Sequence, residues 1–244
     1  MGFKNCTHEP CLYYKINSGE NITLILRQVD DFLVANKDDA ECNRIGELIQ
    51  SKMTFPLNTL GLVRKFNGVD VEQTRNYNKV HCATYINKIV KHHGWENETT
   101  RTNPTPMRAD NNYQREIQET KGPTDPKEQA ALQKKMGFNY RQAIGELTYA
   151  YTICHVDISI AIITLSQHVQ HPAEIHYDAV KDLFTYLHST RDYGLVYWRP
   201  KPRMDLPYQP DPKTISPPSA LAKFDNYWNP NQLTGCCDST WASN

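Results

Sequence analysis

The sequence lacks a long apolar run, a C-x-x-C pair, a repeat at any solenoid period and a net charge. Each absence removes a class of protein. Lys plus Arg and Asp plus Glu number 27 each, so no global basic field draws in nucleic acid or anionic lipid, and any nucleic-acid contact must be local. With 39% hydrophobic and 22% charged residues, the composition excludes a membrane span, a coiled coil and a wholly disordered chain. The seven cysteines, Cys6, Cys11, Cys42, Cys82, Cys154, Cys236 and Cys237, are scattered and odd in number. That pattern predicts free thiols in a reducing compartment. Residues 1–21 are polar, without the apolar core of a secretion signal, and Cys6 fills the position where a myristoylation pattern wants Ser or Thr. The expectation is an intracellular, cytoplasmic protein with no membrane partner. At 244 residues, it makes one large domain or two small ones, at ~150 residues each.

What is present alternates in its first half between strand and helix patterns. Residues 11–14 read as a strand with no earlier element to pair with, as though the chain began in mid-fold. Residues 21–26 and 32–35 are β-rich runs around the polar centre Gln28-Val29-Asp30-Asp31, a hairpin pattern. Asp38 or Asp39 can cap a helix whose apolar positions Cys42, Ile45, Leu48, Ile49 and Met53 fall at helical spacing. Residues 63–73 and 79–82 are extended. Both Asn67-Gly68 and the 75–78 stretch carry turn signals, and the later turn, with its longer paired strands, is the preferred closure. A short helix is predicted over 83–93. Residues 97–125 are polar and turn-rich and read as a loop or boundary. Helices follow over about 126–136, 140–152, 157–169 and 172–189, then a strand over 194–198. Eight of the 15 prolines fall between Pro200 and Pro230, which predicts an extended spacer. A strand resumes at 233–238.

Asp30-Asp31 is the dipeptide with most chemical content. Neighbours in a regular strand point to opposite faces, but at a hairpin turn the alternation breaks and both carboxylates can approach one divalent ion. Hard oxygens of this kind suit Mg²⁺, which binds one or two carboxylates together with substrate phosphates and water. Two such ions stabilise the attacking and leaving oxygens of phosphoryl transfer. Taken by itself, the dipeptide is better read as an ordinary solvated turn.

Its surroundings decide between the two. Gln28-Val29-Asp30-Asp31-Phe32-Leu33-Val34-Ala35 resembles the Tyr-Val-Asp-Asp palm hairpin of the reverse transcriptases of copia-type retrotransposons. Leu60-Gly61 followed by Phe66-Asn67-Gly68-Val69-Asp70-Val71 is similar to that family's primer-gripping stretch. Tyr140-Arg141 through Gly145-Glu146-Leu147-Thr148-Tyr149, then Asp157-Ile158 through Leu165-Ser166, Pro172, His176 and Ala179, follow its later motifs. So do Tyr186-Leu187-His188-Ser189-Thr190 and Tyr193-Gly194-Leu195. Cys236-Cys237-Asp238-Ser239-Thr240-Trp241-Ala242 resembles the opening strand of the attached RNase H. Six motifs occur in the family's order.

The resemblance implies an α+β fold. Residues 1–96 are the C-terminal part of the palm, 97–125 a boundary, 126–199 a helical thumb and connection, 200–231 a proline-rich linker, and 232–244 the first, isolated RNase H strand. It implies catalytic and metal-binding roles for Asp30 and Asp31 in the palm and for Asp238 in an incomplete RNase H site, and a primer grip at Phe66, Asn67, Gly68 and Val69. It further implies Mg²⁺ or Mn²⁺, an RNA template, a DNA primer, deoxynucleotide triphosphates and a virus-like particle in the intact family. The thumb helices are expected to meet template and primer largely through backbone phosphates.

Departures from the pattern bear on activity. Gln28 stands where the family has Tyr, and His155-Val156 replaces the Arg-Pro that precedes Asp157. The palm's other metal-binding aspartate and the remaining RNase H carboxylates have no counterpart in the sequence, which makes a fragment of the polyprotein without activity of its own the expectation. A non-catalytic nucleic-acid-binding or docking remnant is the alternative, and the missing halves of the polyprotein are the expected partners. Other chemistry-bearing residues have plainer readings. Cys6, His8 and Cys11 lack a second pair at zinc spacing. His81, His92, His93, His168, His171 and His176 read as surface or partly packed. Asp70 and Glu72 read as a solvated strand face. Lys134, Lys135 and Arg141 read as helix surface or as a phosphate contact.

Overall fold

The computed structural model describes residues 2–17, 21–96, 105–199 and 201–209. It is α+β, with two antiparallel sheets and seven α-helices among the described residues. The chain divides into two units, one of residues 1–72 and 79–196 and one of residues 73–78 and 197–244.

The first sheet runs β1 (Lys4–Asn5), β2 (Leu12–Ile16), β3 (Ile22–Gln28) and β4 (Asp31–Ala35), in that spatial order. The strand at Leu12–Ile16 therefore does have an earlier partner: Lys4 pairs with Tyr14 and Asn5 with Tyr13. Two residues of strand are too short to leave a period in the sequence. Strand β3 alternates, with Thr23 and Ile25 buried between exposed Ile22 and Leu24. The buried side receives α1 (Asp39–Gln50) through Ile45 and Ile49, with Phe3, Tyr13, Phe32 and Val34 packed around them. Asp38 starts that helix by accepting from the Ala40 N–H at 2.9 Å, and Asp39 and Glu41 add negative charge to its first turn.

The second sheet has the order β5 (Lys65–Phe66), β6 (Val69–Gln73), β7 (Tyr77–His81) and β8 (Gly194–Trp198). Both turn signals are used, so the preference for the later one is corrected. Asn67 and Gly68, with φ of 48° and 80°, close β5 on β6 in the pattern of a type I′ turn. Gly194 is required where β8 passes β7, because a Cβ there would overlap the Val80 carbonyl.

Helices α2 (Ala83–His93), α3 (Asn111–Glu119), α4 (Pro126–Met136), α5 (Tyr140–Ile153), α6 (Ser159–Ser166) and α7 (Glu174–Ser189) make up the rest of the first unit, with one 3₁₀ turn at Val156–Ile158. Their shared core includes Ile86, Ile117, Leu147, Ile158, Leu165, Leu183 and Leu187. Helix α3 falls in the segment that reads as a loop. Only Tyr113 and Ile117 carry its apolar face, a pair at i, i+4, and Asp110 caps it through the Asn112 N–H at 2.8 Å. A single apolar pair is too thin a stripe to read as a helix. The helix is tied to α7 by His176, which is fully buried. His176 Nδ1 accepts from the Ala173 N–H at 2.8 Å, and its Nε2–H donates to the Ile117 carbonyl at 2.8 Å.

In the second unit, Arg75 and Arg203 exchange backbone contacts with the residues that follow Trp198. The Arg203 N–H donates to the Arg75 carbonyl at 2.9 Å and the Arg75 N–H to that of Pro207 at 3.0 Å, while Leu206 is buried. Contacts thus continue to Tyr208, whose ring lies under the Arg75 guanidinium, inside the stretch whose proline density predicts a spacer. Residues 210–244 lie outside the described residues.

Candidate functional site

Strands β3 and β4 pair in a register that sets Gln28 opposite Asp31. This leaves Val29 and Asp30 as a two-residue turn. Val29 has φ of 54°, and Asp30 is not in the left-handed region. A positive φ at the first central position alone is the type II′ pattern, where glycine is usual. A β-branched residue in that conformation stores roughly 1–3 kcal/mol of strain, and Val29 is 82% exposed, so no packing offsets it. Such strain collects at functional turns.

The turn breaks strand alternation as the sequence implies. Asp30 and Asp31 are both exposed, and among the described residues neither makes an ion pair or side-chain hydrogen bond. Two adjacent, uncommitted carboxylates offer hard oxygen donors of the kind Mg²⁺ and Mn²⁺ take together with phosphates and water. That donor set fits one end of a cation site. It is not a complete two-ion set, because no third His, Cys, Asp or Glu among the described residues converges on it.

The residues read as a primer grip, Phe66 to Val69, come together in the β5–β6 hairpin, which belongs to the second sheet and not to the one carrying Asp30. A Cβ on Gly68 would meet the Tyr149 hydroxyl at 3.0 Å, so this turn lies against α5. Tyr149 in turn packs on Tyr85 of α2, with ring centroids 4.5 Å apart. Asp238 and the segment 232–244 lie outside the described residues.

Two plainer readings need correction. Asp70 is not on a solvated face. It is 9% exposed and accepts from both the Thr84 N–H and the Thr84 hydroxyl, each at 2.9 Å. Helix α2 has no side-chain cap of its own at Cys82, and a carboxylate from β6 supplies one, which period-based reading of a single segment cannot show. His176 is likewise a fully committed core residue. Burial, together with the stacked His168 ring 3.9 Å away, holds it below the usual histidine range. Lys135 pairs with Glu174 at 2.6 Å, while Lys134 and Arg141 are exposed.

The place where donors do converge was not legible in the sequence. The Cys82 and Cys154 sulfurs lie 3.2 Å apart, with His155 beside them. The two cysteines are 72 positions apart, far from any zinc-like spacing, and no local signal announces their meeting.

Residues 1–108 match the family model described as reverse transcriptase (RNA-dependent DNA polymerase). That match lies over the segment holding the strained carboxylate turn, so this part of the chain is similar to reverse transcriptases. The curated relatives point the same way. The chain is 26% identical, over 75% of its length, to the retrovirus-related Pol polyprotein from transposon TNT 1-94 of Nicotiana tabacum, of which the match spans 13%. It is 26% identical, over 81% of its length, to a transposon Ty5-1 protein of Saccharomyces cerevisiae, of which the match spans 58%. A 60-residue stretch is 35% identical to secreted RxLR effector protein 161 of Plasmopara viticola, covering 25% of this chain and 42% of that protein. The chain thus spans less than two thirds of each, and its similarities are to a reverse transcriptase family model and to retrotransposon proteins. No solved structure matches it.

No helix among the described residues is long and apolar enough to cross a membrane.

Proposed function

We propose that this chain supplies the carboxylate hairpin of a reverse-transcriptase palm, followed by its primer-positioning hairpin and the helical thumb and connection. The observation that carries the reading is Asp30-Asp31, exposed and uncommitted beside a strained two-residue turn, inside the segment matched to the family. Asp30 is the principal ligand for Mg²⁺ or Mn²⁺, and Asp31 its neighbour. When bound, the ion supplies charge neutralisation at the phosphoryl group being transferred. This chain's own contribution is to hold the carboxylates at the end of a paired hairpin and to brace the Phe66–Val69 turn against Tyr149 for the primer end. RNA template, DNA primer and deoxynucleotide triphosphates are the substrates of the polyprotein to which the chain contributes. Asp238 is the first of the RNase H carboxylates. A two-ion site needs a further carboxylate from elsewhere in the polyprotein, so the chain alone does not polymerise.

Primer extension on an RNA template, over a range of Mg²⁺ concentrations, tests this. The expected result is no extension by the folded chain alone. In the reconstituted polyprotein, extension is expected to fall at least ~10³-fold in Asp30→Asn, the scale of losing electrostatic stabilisation at a transferring group. Extension by the chain alone that vanishes in Asp30→Asn would overturn the requirement for an outside carboxylate. Undiminished extension by the Asp30→Asn polyprotein would overturn the role of the hairpin.

A further inference from the structure

Where α2 begins, α5 ends and the 3₁₀ turn starts, three side chains meet that the polymerase reading does not use. Cys82 is fully buried, Cys154 is 4% exposed and His155 is fully buried. Their donor atoms all lie within 4.8 Å of one another. The Cys154 thiol donates to the Cys82 sulfur at 3.2 Å.

The second observation is at the histidine. Its Nδ1 faces the Asp157 carboxylate at 3.2 Å, and its Nε2 is buried without any hydrogen-bond partner. A buried polar nitrogen left unpaired is unfavourable and calls for an explanation. Asp157 is itself fixed by the Tyr186 hydroxyl at 2.7 Å. With its proton on Nδ1 toward a carboxylate, the imidazole presents a free Nε2 lone pair, the arrangement that orients metal-bound histidines. His155 also stands at the position where the copia-type resemblance leads one to expect arginine, which could not ligate.

We infer that Cys82, Cys154 and His155 form a binding site for a thiophilic divalent ion, zinc in particular, separate from the hard-cation chemistry of the hairpin. Charge balance selects the class. Two thiolates neutralise a dication in this buried place, whereas Cu⁺ would leave an uncompensated negative charge. Sulfur donors exclude Mg²⁺ and Ca²⁺. Distance favours a metal over a disulfide. Two sulfurs on a tetrahedral zinc lie about 3.8 Å apart, given Zn–S of about 2.3 Å, and a disulfide needs about 2.05 Å. The observed separation is nearer the first. Binding moves one proton from each thiol to solvent, with no change in oxidation state. The ion joins α2, α5 and the 3₁₀ turn, so its binding free energy becomes fold stability.

The test uses the full 244-residue chain, purified under reductant and stripped by a chelator. Co²⁺ is expected to bind at one per chain with thiolate-to-cobalt charge-transfer absorption and to be displaced by Zn²⁺. Cys82→Ala and Cys154→Ala are expected to abolish the band, and Cys42→Ser to keep it. Because the alanine variants sit in the core, Asp157→Asn provides a milder check. Acting only as a positioning residue, it is expected to weaken Zn²⁺ about 10–100-fold with the stoichiometry unchanged. A folded, stripped chain that gives no charge-transfer band overturns the inference. So does a band that survives in Cys82→Ala or Cys154→Ala, or a Cys82–Cys154 disulfide in the reductant-purified chain.

Discussion

The two parts of the first unit are built very differently. The helical part buries an extended set of side chains from α2, α3, α5, α6 and α7, with Phe184 edge-on to the stacked rings of His93 and Trp95 at centroid distances of 5.1 and 5.0 Å. The β1–β4 sheet and α1 bury only a small hydrophobic cluster, Ile25, Ile45 and Ile49, and the sheet leaves Ile16, Ile22 and Leu24 exposed on its other face. The carboxylates lie on the thinly packed part. Stability and chemistry are therefore held in separate places, and substitutions should separate them as well.

The largest effect is expected in the helical core. Phe184→Ala removes a ring that is 2% exposed and should cost about 3–5 kcal/mol, read from the urea unfolding midpoint. Leu24→Ala, on the open face of the first sheet, should stay within about 0.5 kcal/mol. Equal losses at both positions would mean that the two parts are not packed as unequally as described.

Next comes Asp70→Ala. It deprives the Thr84 N–H and hydroxyl of their acceptor at the start of α2, and about 1–3 kcal/mol is expected. Thermal unfolding of this variant beside Glu72→Ala checks it. A larger loss from Glu72→Ala would return Asp70 to the solvated role that strand alternation implies.

The pH dependence of stability sharpens the comparison further. His176 is held below the usual histidine range by burial, and His168 likewise. The unfolded chain then binds protons that the folded chain refuses. By linkage, stability is full above the unfolded value near 6.5 and is lost as pH falls below it. Protonation at Nδ1 would also set a proton against the Ala173 N–H that now donates there. Urea midpoints between pH 7.5 and 5 should therefore fall with acidity, and less steeply in His176→Gln. An unchanged slope in that variant would assign the acid sensitivity to other groups.

Regular elements with strong boundaries were legible in the sequence. Pro126 behind Asp125, with Gly137 beyond, marks both ends of α4, and α2 ends where Gly94 enters the left-handed region. The carboxylate turn was legible because a two-residue loop between alternating strands leaves its trace in one short window. What escaped depends on distant parts of the chain meeting. Helix α3 is tied to the core through His176, 59 positions from Ile117. Asp70 serves a helix that starts beyond the next strand. Cys82 and Cys154 meet only because α2 and α5 pack together. No window of sequence contains both halves of any of these.

The smallest stability effect belongs to the residue of greatest chemical consequence. Asp30 is exposed, packs against nothing and lies next to Asp31, so its charge in the isolated chain repels a neighbour and stabilises no partner. Asp30→Asn should thus leave the unfolding free energy within about 0.5 kcal/mol of the parent, with any change toward greater stability as like-charge repulsion is relieved. Added Mg²⁺ should narrow that difference, because the ion screens the repulsion in the parent and finds less to bind in the variant. Urea titrations of both proteins with and without Mg²⁺ read the two effects together. A loss above about 1 kcal/mol in Asp30→Asn would make the carboxylate a structural part of the turn. Stability that is indifferent to the substitution leaves Asp30 no role in the fold, and a carboxylate kept beside a strained valine without structural benefit is then explained by what it binds.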